Sequence, residues 1–386
     1  MIGRAAEQQV KDNARWYPIV SVTGPRQSGK STLVRAAFPD YEYVNLEPPS
    51  YFDQASDDPV GFIRSRPHHL IVDEAQRVPE LFNVIQVESD ENGSAGQYVL
   101  SGSQNFLMRR QITQSLAGRV GIVKLLPLSL REARSAHPEL SPEEFCFRGG
   151  YPRLYDRPIP PANFYRNYVA TYLSRDVAGY VNASNLATFE TFLHVCADAS
   201  GKLLNVSRIA NDVGVSTRTV RSWLSLLESS YVVFLLQPFH ANMRKRLTKT
   251  PKLYFYDSGL LCYLLGIGNQ GALEKSAHRG AVFENLVIAE TLKRHLNSDE
   301  DPVLYFYRDD SKIEVDLLDF TKRDEPELVE VKSSQTYRSS YTRNLYTVSQ
   351  AIAPEHGVRL SLVMRPDASS EVGAVKVWSL EDWLLR

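Results

Sequence analysis

Cysteine is scarce. Cys146, Cys196 and Cys262 are the only three in 386 residues, and none sits in a CxxC spacing. That argues against a disulfide framework or a thiolate zinc site, and for a reducing compartment. Long apolar runs are missing too. None reaches the length that crosses a bilayer, and residues 1–15 are polar with both charge signs, so neither a membrane anchor nor a signal peptide is read. The expectation is a cytoplasmic protein without a membrane partner. There is no excess of charge of either sign: Lys and Arg number 44 against 45 Asp and Glu, for a net charge of -1. The chain is not a polycation, and any nucleic-acid binding must come from local patches. What remains is ordinary globular composition, 43% hydrophobic and 23% charged, at a length that allows two or three domains.

Texture divides the chain into four stretches, 1–134, 135–187, 188–250 and 251–386. The first alternates short β-rich runs (Ile19 to Thr23, Tyr41 to Leu46, Leu70 to Val72, Tyr98 to Leu100, Val120 to Leu125) with amphipathic segments, the pattern of a parallel α/β sheet. The second is aromatic-rich and helical after Gly149-Gly150-Tyr151-Pro152. The third is helical, closed by the β-like run Tyr231 to Leu236. The fourth predicts a long helix over Ala281 to Leu296 and strands at Leu304 to Tyr307, Glu314 to Asp319, Leu328 to Lys332 and Arg359 to Met364.

Chemistry concentrates first in Gly24-Pro25-Arg26-Gln27-Ser28-Gly29-Lys30-Ser31, followed by Thr32. Every fixed position of GxxxxGK[ST] is present, after a β-branched strand and before a helical run. Glycines let such a loop wrap phosphates with its backbone N–H groups; Lys30 reaches the β- and γ-phosphates of ATP and the Ser31 hydroxyl ligates Mg2+. His69-Leu70-Ile71-Val72-Asp73-Glu74 is a buried strand ending in two acids. Asp73 would hold Mg2+ through water, or merely cap a helix; Glu74 would polarise the attacking water. Tyr98 to Gln104 ends a neighbouring strand in small polar residues, where Ser103 or Gln104 would sense the γ-phosphate or simply turn the chain. Arg119, beside Gly118, reads equally as an arginine finger toward a neighbouring subunit or as a helix-end cation.

Val206 to Ser229 carries a helix-turn-helix pattern: small Ala210, a positive-φ turn at Gly214, the apolar wedge Val220 and an N-cap at Ser216. With the following β run it forms a winged helix. Thr217, Arg218, Arg221 and Ser222 would be exposed, suiting phosphates or base edges of DNA; the alternative is a lid or protein contact. Arg244, Lys245, Arg246, Lys249 and Lys252 follow closely. Farther on, a helical Glu284, a strand Asp316 and Glu330-Val331-Lys332 are similar to the PD-(D/E)XK nuclease pattern. Glu330 and Lys332 share one strand face. Asp316 and Glu330 would share a divalent metal with support from Glu284, and Lys332, not itself a ligand, would orient water; otherwise Glu330 and Lys332 form a plain salt bridge.

Taken together, GPRQSGKST, IVDEAQ, LSGSQ, LAGRV, GGYP and YLSRDV resemble a widespread prokaryotic family of predicted ATPases in the AAA+ superfamily, with a C-terminal domain of unknown function. The resemblance runs over nearly the whole chain. It implies a RecA-like α/β ATPase core, a helical segment, a winged helix-turn-helix and a small α/β restriction-endonuclease-like domain. It also implies Arg175 as a second sensor. The expected function is Mg2+-dependent ATP hydrolysis, in a homo-oligomer, acting on nucleic acid; the alternative is a regulatory NTPase switch for protein partners, with the nuclease-like domain a scaffold.

Overall fold

A computed structural model describes residues 2–66, 69–103, 112, 115–173, 186–239, 249–352 and 357–386. The chain forms two compact units. The first holds residues 1–127, 229–231 and 297–299; the second holds 128–228, 232–296 and 300–386. Among the described residues no helix is long and apolar enough to cross a membrane.

In the first unit, β1 (Ile19–Thr23), β2 (Glu42–Asn45), β3 (Leu70–Asp73), β4 (Tyr98–Gly102) and β5 (Val120–Lys124) form one sheet in the order β2-β3-β4-β1-β5. All its pairings are parallel. The central strands β1, β3 and β4 are buried along their whole length, covered on both faces, whereas the edge strands β2 and β5 keep exposed residues. Leu70 and Val72 pack with Phe82 and Ile85 on one face, while Ile71 joins Val20, Leu33 and Val34 on the other. Helix Ala6–Trp16 covers that second face through Val10. Such a sheet gathers its ligand-binding loops at the carboxyl ends of the strands, here after Thr23, Asp73 and Gly102.

The second unit is built on an eight-stranded mixed sheet. It contains β6 (Val233–Pro238), β7 (Lys252–Phe255), β8 (Leu304–Arg308), β9 (Glu314–Asp319), β10 (Glu327–Val331), β11 (Arg359–Met364), β12 (Ser370–Val372) and β13 (Val375–Ser379), in the order β12-β13-β11-β10-β9-β8-β6-β7. Leu318, Leu328, Leu345, Val348 and Leu362 form much of its core. Helices Val206–Val213 and Thr217–Ser229 are separated by Gly214, whose φ of 77° is the left-handed turn expected there. An antiparallel β6–β7 pair follows, and β6 also pairs in parallel with β8, so this hairpin is continuous with the C-terminal sheet. The Gly149-Gly150 turn is held by Asp257, whose carboxylate accepts from the Gly150 N–H (2.7 Å), the Tyr165 hydroxyl (2.7 Å) and the Leu260 N–H (2.8 Å).

Candidate nucleotide site

The loop leaving β1 is shaped by close contacts. A Cβ on Gly24 would lie 2.0 Å from the Leu125 carbonyl oxygen, so only glycine fits there. Gln27 adopts a φ of 62° and Gly29 one of 93°, turning the chain into helix Lys30–Ala37. Arg4 ties the loop down from outside, donating to the Ser28 carbonyl at 2.6 Å and the Leu126 carbonyl at 2.7 Å. Arg26 faces Glu47 at 4.0 Å. The Lys30 ammonium is buried and donates to the loop's own carbonyls, Gly24 at 3.1 Å and Pro25 at 2.8 Å. The Ser28 hydroxyl is fully buried and without a partner among the described residues. A buried donor left unpaired is costly unless a ligand satisfies it. An ammonium and an unpaired hydroxyl on one glycine-shaped loop at a helix N-terminus fit a polyphosphate.

Asp73 ends β3 in register with Ser101 of β4. Its carboxylate accepts from the Ser101 hydroxyl, the Glu74 N–H (3.1 Å) and the Tyr43 hydroxyl (2.6 Å). Glu74 has a φ of 53°, an unfavourable conformation for a residue with a Cβ, and its carboxylate accepts from Gln76 and from Ser103 at 3.2 Å. Ser103, singled out from the sequence, thus touches Glu74, while Gln104 lies outside the described residues. Tyr43, Gln76, Ser101 and Arg4 were missed. Gln76 was visible in the IVDEAQ run, whereas Tyr43 and Arg4 carry no local signal. The Arg119 guanidinium is forked onto Asp90, at 2.5 and 2.9 Å.

In the second unit, Thr217, Arg218, Arg221 and Ser222 are exposed, while Val220, Trp223, Leu224 and Leu227 are buried. Arg175, Arg244, Lys245 and Arg246 lie outside the described residues. Glu284, Asp316, Glu330 and Lys332 do converge. Continuing the β9–β10 register by one residue sets Glu330 opposite Asp316. Lys332 lies between them, bonded to Glu330 and 3.8 Å from Asp316. A second lysine completes the cluster. The Lys252 ammonium, almost wholly buried, is 3.2 Å from Glu284, 2.7 Å from Glu314 and 3.9 Å from Asp316. Where a shared divalent metal was expected at Glu284, Asp316 and Glu330, the carboxylates lie against two ammonium groups, Lys252 and Lys332. No three Asp, Glu, His or Cys side chains among the described residues are grouped to hold a metal ion. Burial, then the nearby Asp316, pushes the Glu284 and Glu330 carboxyls above the usual range. Glu314 and Lys252 were missed as members because they lie on β9 and β7, strands that the sheet brings together through β8 and β6.

Residues 17–134 match the family described as an AAA domain; residues 140–271 and 279–383 match two domains of unknown function, DUF8612 and DUF4143. The first unit therefore contains an AAA-type P-loop ATPase domain. The chain is 32% identical over 303 residues to an uncharacterized protein of Mycobacterium tuberculosis, covering 78% of this chain and 67% of that protein, and it belongs to the same family. An uncharacterized Haemophilus influenzae protein is 23% identical over 95% of this chain and 94% of its own length. Among solved structures, a Walker-type ATPase of Pyrococcus abyssi aligns at 14% identity over 68% of this chain and 96% of that one, with a TM-score of 0.44. DnaA from Aquifex aeolicus bound to AMPPCP aligns at 12% identity over 58% and 86%, with a TM-score of 0.31. Likenesses at that level carry no further argument.

Proposed function

We propose that the protein hydrolyses ATP with Mg2+ and couples its nucleotide state to nucleic acid contacted by helix Thr217–Ser229. The observation that carries the hydrolytic part is Glu74: a carboxylate held in a left-handed conformation beside Asp73, bonded to Gln76 and Ser103, at the carboxyl end of the strand next to β4. In this reading the Gly24–Thr32 loop and Lys30 hold the phosphates, Ser31 and Asp73 hold Mg2+, and Glu74 takes a proton from water. Bound Mg2+ would supply charge neutralisation for the phosphates. The exposed Arg218 and Arg221, above a buried apolar face, support a phosphate-contacting role for the helix. The winged-helix and nuclease-like identities of the second unit belong to the same proposal.

A second reading is favoured by Lys252. Its ammonium among Glu284, Glu314 and Asp316 supplies part of the counter-charge of the nuclease-like cluster from within the protein. On that ground the C-terminal sheet would be a scaffold, and the chain a nucleotide switch for protein partners. The experiment that separates the two is an ATPase and cleavage assay with Mg2+ or Mn2+, with and without DNA and RNA. Turnover stimulated by nucleic acid supports the first reading; unstimulated turnover with no cleavage supports the second; no turnover defeats both.

A further inference from the structure

The strand-end aspartate that a P-loop ATPase uses for its metal is engaged here by a tyrosine. The Tyr43 hydroxyl donates to Asp73 Oδ2 at 2.6 Å, and its ring lines the same cavity as Ser31 of the loop. Asp73 Oδ1 is already occupied by Ser101 and the Glu74 N–H. The buried carboxylate is thereby satisfied without a cation, as an interior charge must be.

Ser101 and Tyr43 differ in their freedom to leave. Ser101 is fully buried on β4, inside the sheet. Tyr43 is on β2, at the sheet edge, and its ring borders a cavity of about 460 Å³ shared with Ser31, Arg35, Phe38 and Tyr41. The Arg35 guanidinium sits 4.9 Å from the ring centroid.

We propose that Tyr43 is a latch on the metal position: its hydroxyl occupies Asp73 in the nucleotide-free protein, and Mg2+ arriving with nucleotide displaces it toward the adjoining cavity. The latch rests on the nucleotide-site reading above. It makes Tyr43 a positioning residue that sets how strongly the metal reinforces nucleotide binding, by a competition that the metal must win.

The test compares wild type and Tyr43→Phe for binding of a fluorescent N-methylanthraniloyl ATP, with Mg2+ and with EDTA, by equilibrium titration. Tyr43→Phe keeps the ring and removes the competing hydroxyl, so affinity in EDTA should be unchanged. The enhancement by Mg2+ should grow about threefold to tenfold, the range set by one net hydrogen bond. Tyr43→Leu, which also removes the ring, should show the same direction, with folding of both variants checked by circular dichroism. An enhancement that is unchanged or reduced would overturn the latch, a reduction meaning that Tyr43 orients Asp73 for the metal. Failure of the wild type to bind the nucleotide at all would overturn the nucleotide site together with the latch.

Discussion

Lys30 and Glu74 carry opposite expectations at the residue scale. The Lys30 ammonium is buried against the Gly24 and Pro25 carbonyls, poised on the inner side of the loop. Lys30→Ala should leave the fold intact and reduce ATP turnover by about 100-fold or more, the loss of several kcal/mol of charge stabilisation. Steady-state phosphate release checks it, and undiminished turnover would remove the nucleotide site from this loop. Glu74→Gln keeps Asp73 and its partners in place. Nucleotide should bind normally while hydrolysis slows by about 100-fold. A parallel loss of binding would mean that Glu74 acts on the ligand rather than on water. Both residues were legible in the sequence because GxxxxGK[ST] and a strand ending in Asp-Glu are contiguous signals. Tyr43 was not, since its role depends on β2 lying beside β3.

Two helices carry testable expectations at the scale of elements. Helix Thr217–Ser229 buries Val220, Trp223, Leu224 and Leu227, which fixes Arg218 and Arg221 on the solvent side. Reversing both charges should weaken nucleic-acid binding across sequences and reduce the slope of log affinity against log salt by about 2, one for each arginine. Fluorescence anisotropy over a salt series reads this directly. An unaltered slope and affinity would make the helix a lid or protein contact. Helix Arg279–Asn297 is tied to the sheet by His295, whose ring nitrogens lie 2.6 Å from Glu300 and 2.6 Å from Asp319. Burial pulls the imidazole pKa down, but the bonds to Asp319 and Glu300 outweigh it and hold the pKa above the ordinary value. The folded state therefore binds the proton more tightly than the unfolded one. The resulting stabilisation is complete below the unfolded value of about 6.5 and fades as pH rises through the higher folded value. Urea melts of His295→Gln should show less loss of stability across that window than the wild type does.

At the scale of the whole molecule, each unit has its own sheet and its own charged centre. In the second unit, carboxylates from one helix and two strands surround two lysines, and Glu330 Oε2 is buried without a partner among the described residues. Removing one member of a buried ion cluster leaves uncompensated charge, which typically costs about 3 to 5 kcal/mol. Lys252→Met should accordingly lower the thermal midpoint, and Mn2+ should recover part of the loss by supplying the missing cation. A melt unchanged from wild type would show that Lys252 is not the counter-ion of Glu284, Glu314 and Asp316.

The sequence by itself determined the ATPase loop, the strand-end acids, the order of the five parallel strand runs along the chain and the helix-turn-helix turn. Each is written in neighbouring residues whose spacing has a direct backbone meaning: a glycine that must approach Leu125, a glycine at positive φ, an apolar run buried on both faces. Helix Ala6–Trp16 escaped because Ala6 and Val10 are a thin apolar stripe in a polar segment. Strands β7 and β12 escaped because they are short, with four and three residues. Only tertiary structure decided which cations face the acidic cluster and what holds Asp73. Lys252 and Glu284 are far apart in sequence, as are Tyr43 and Asp73, and electrostatic pairing of that kind is set by which strands lie side by side.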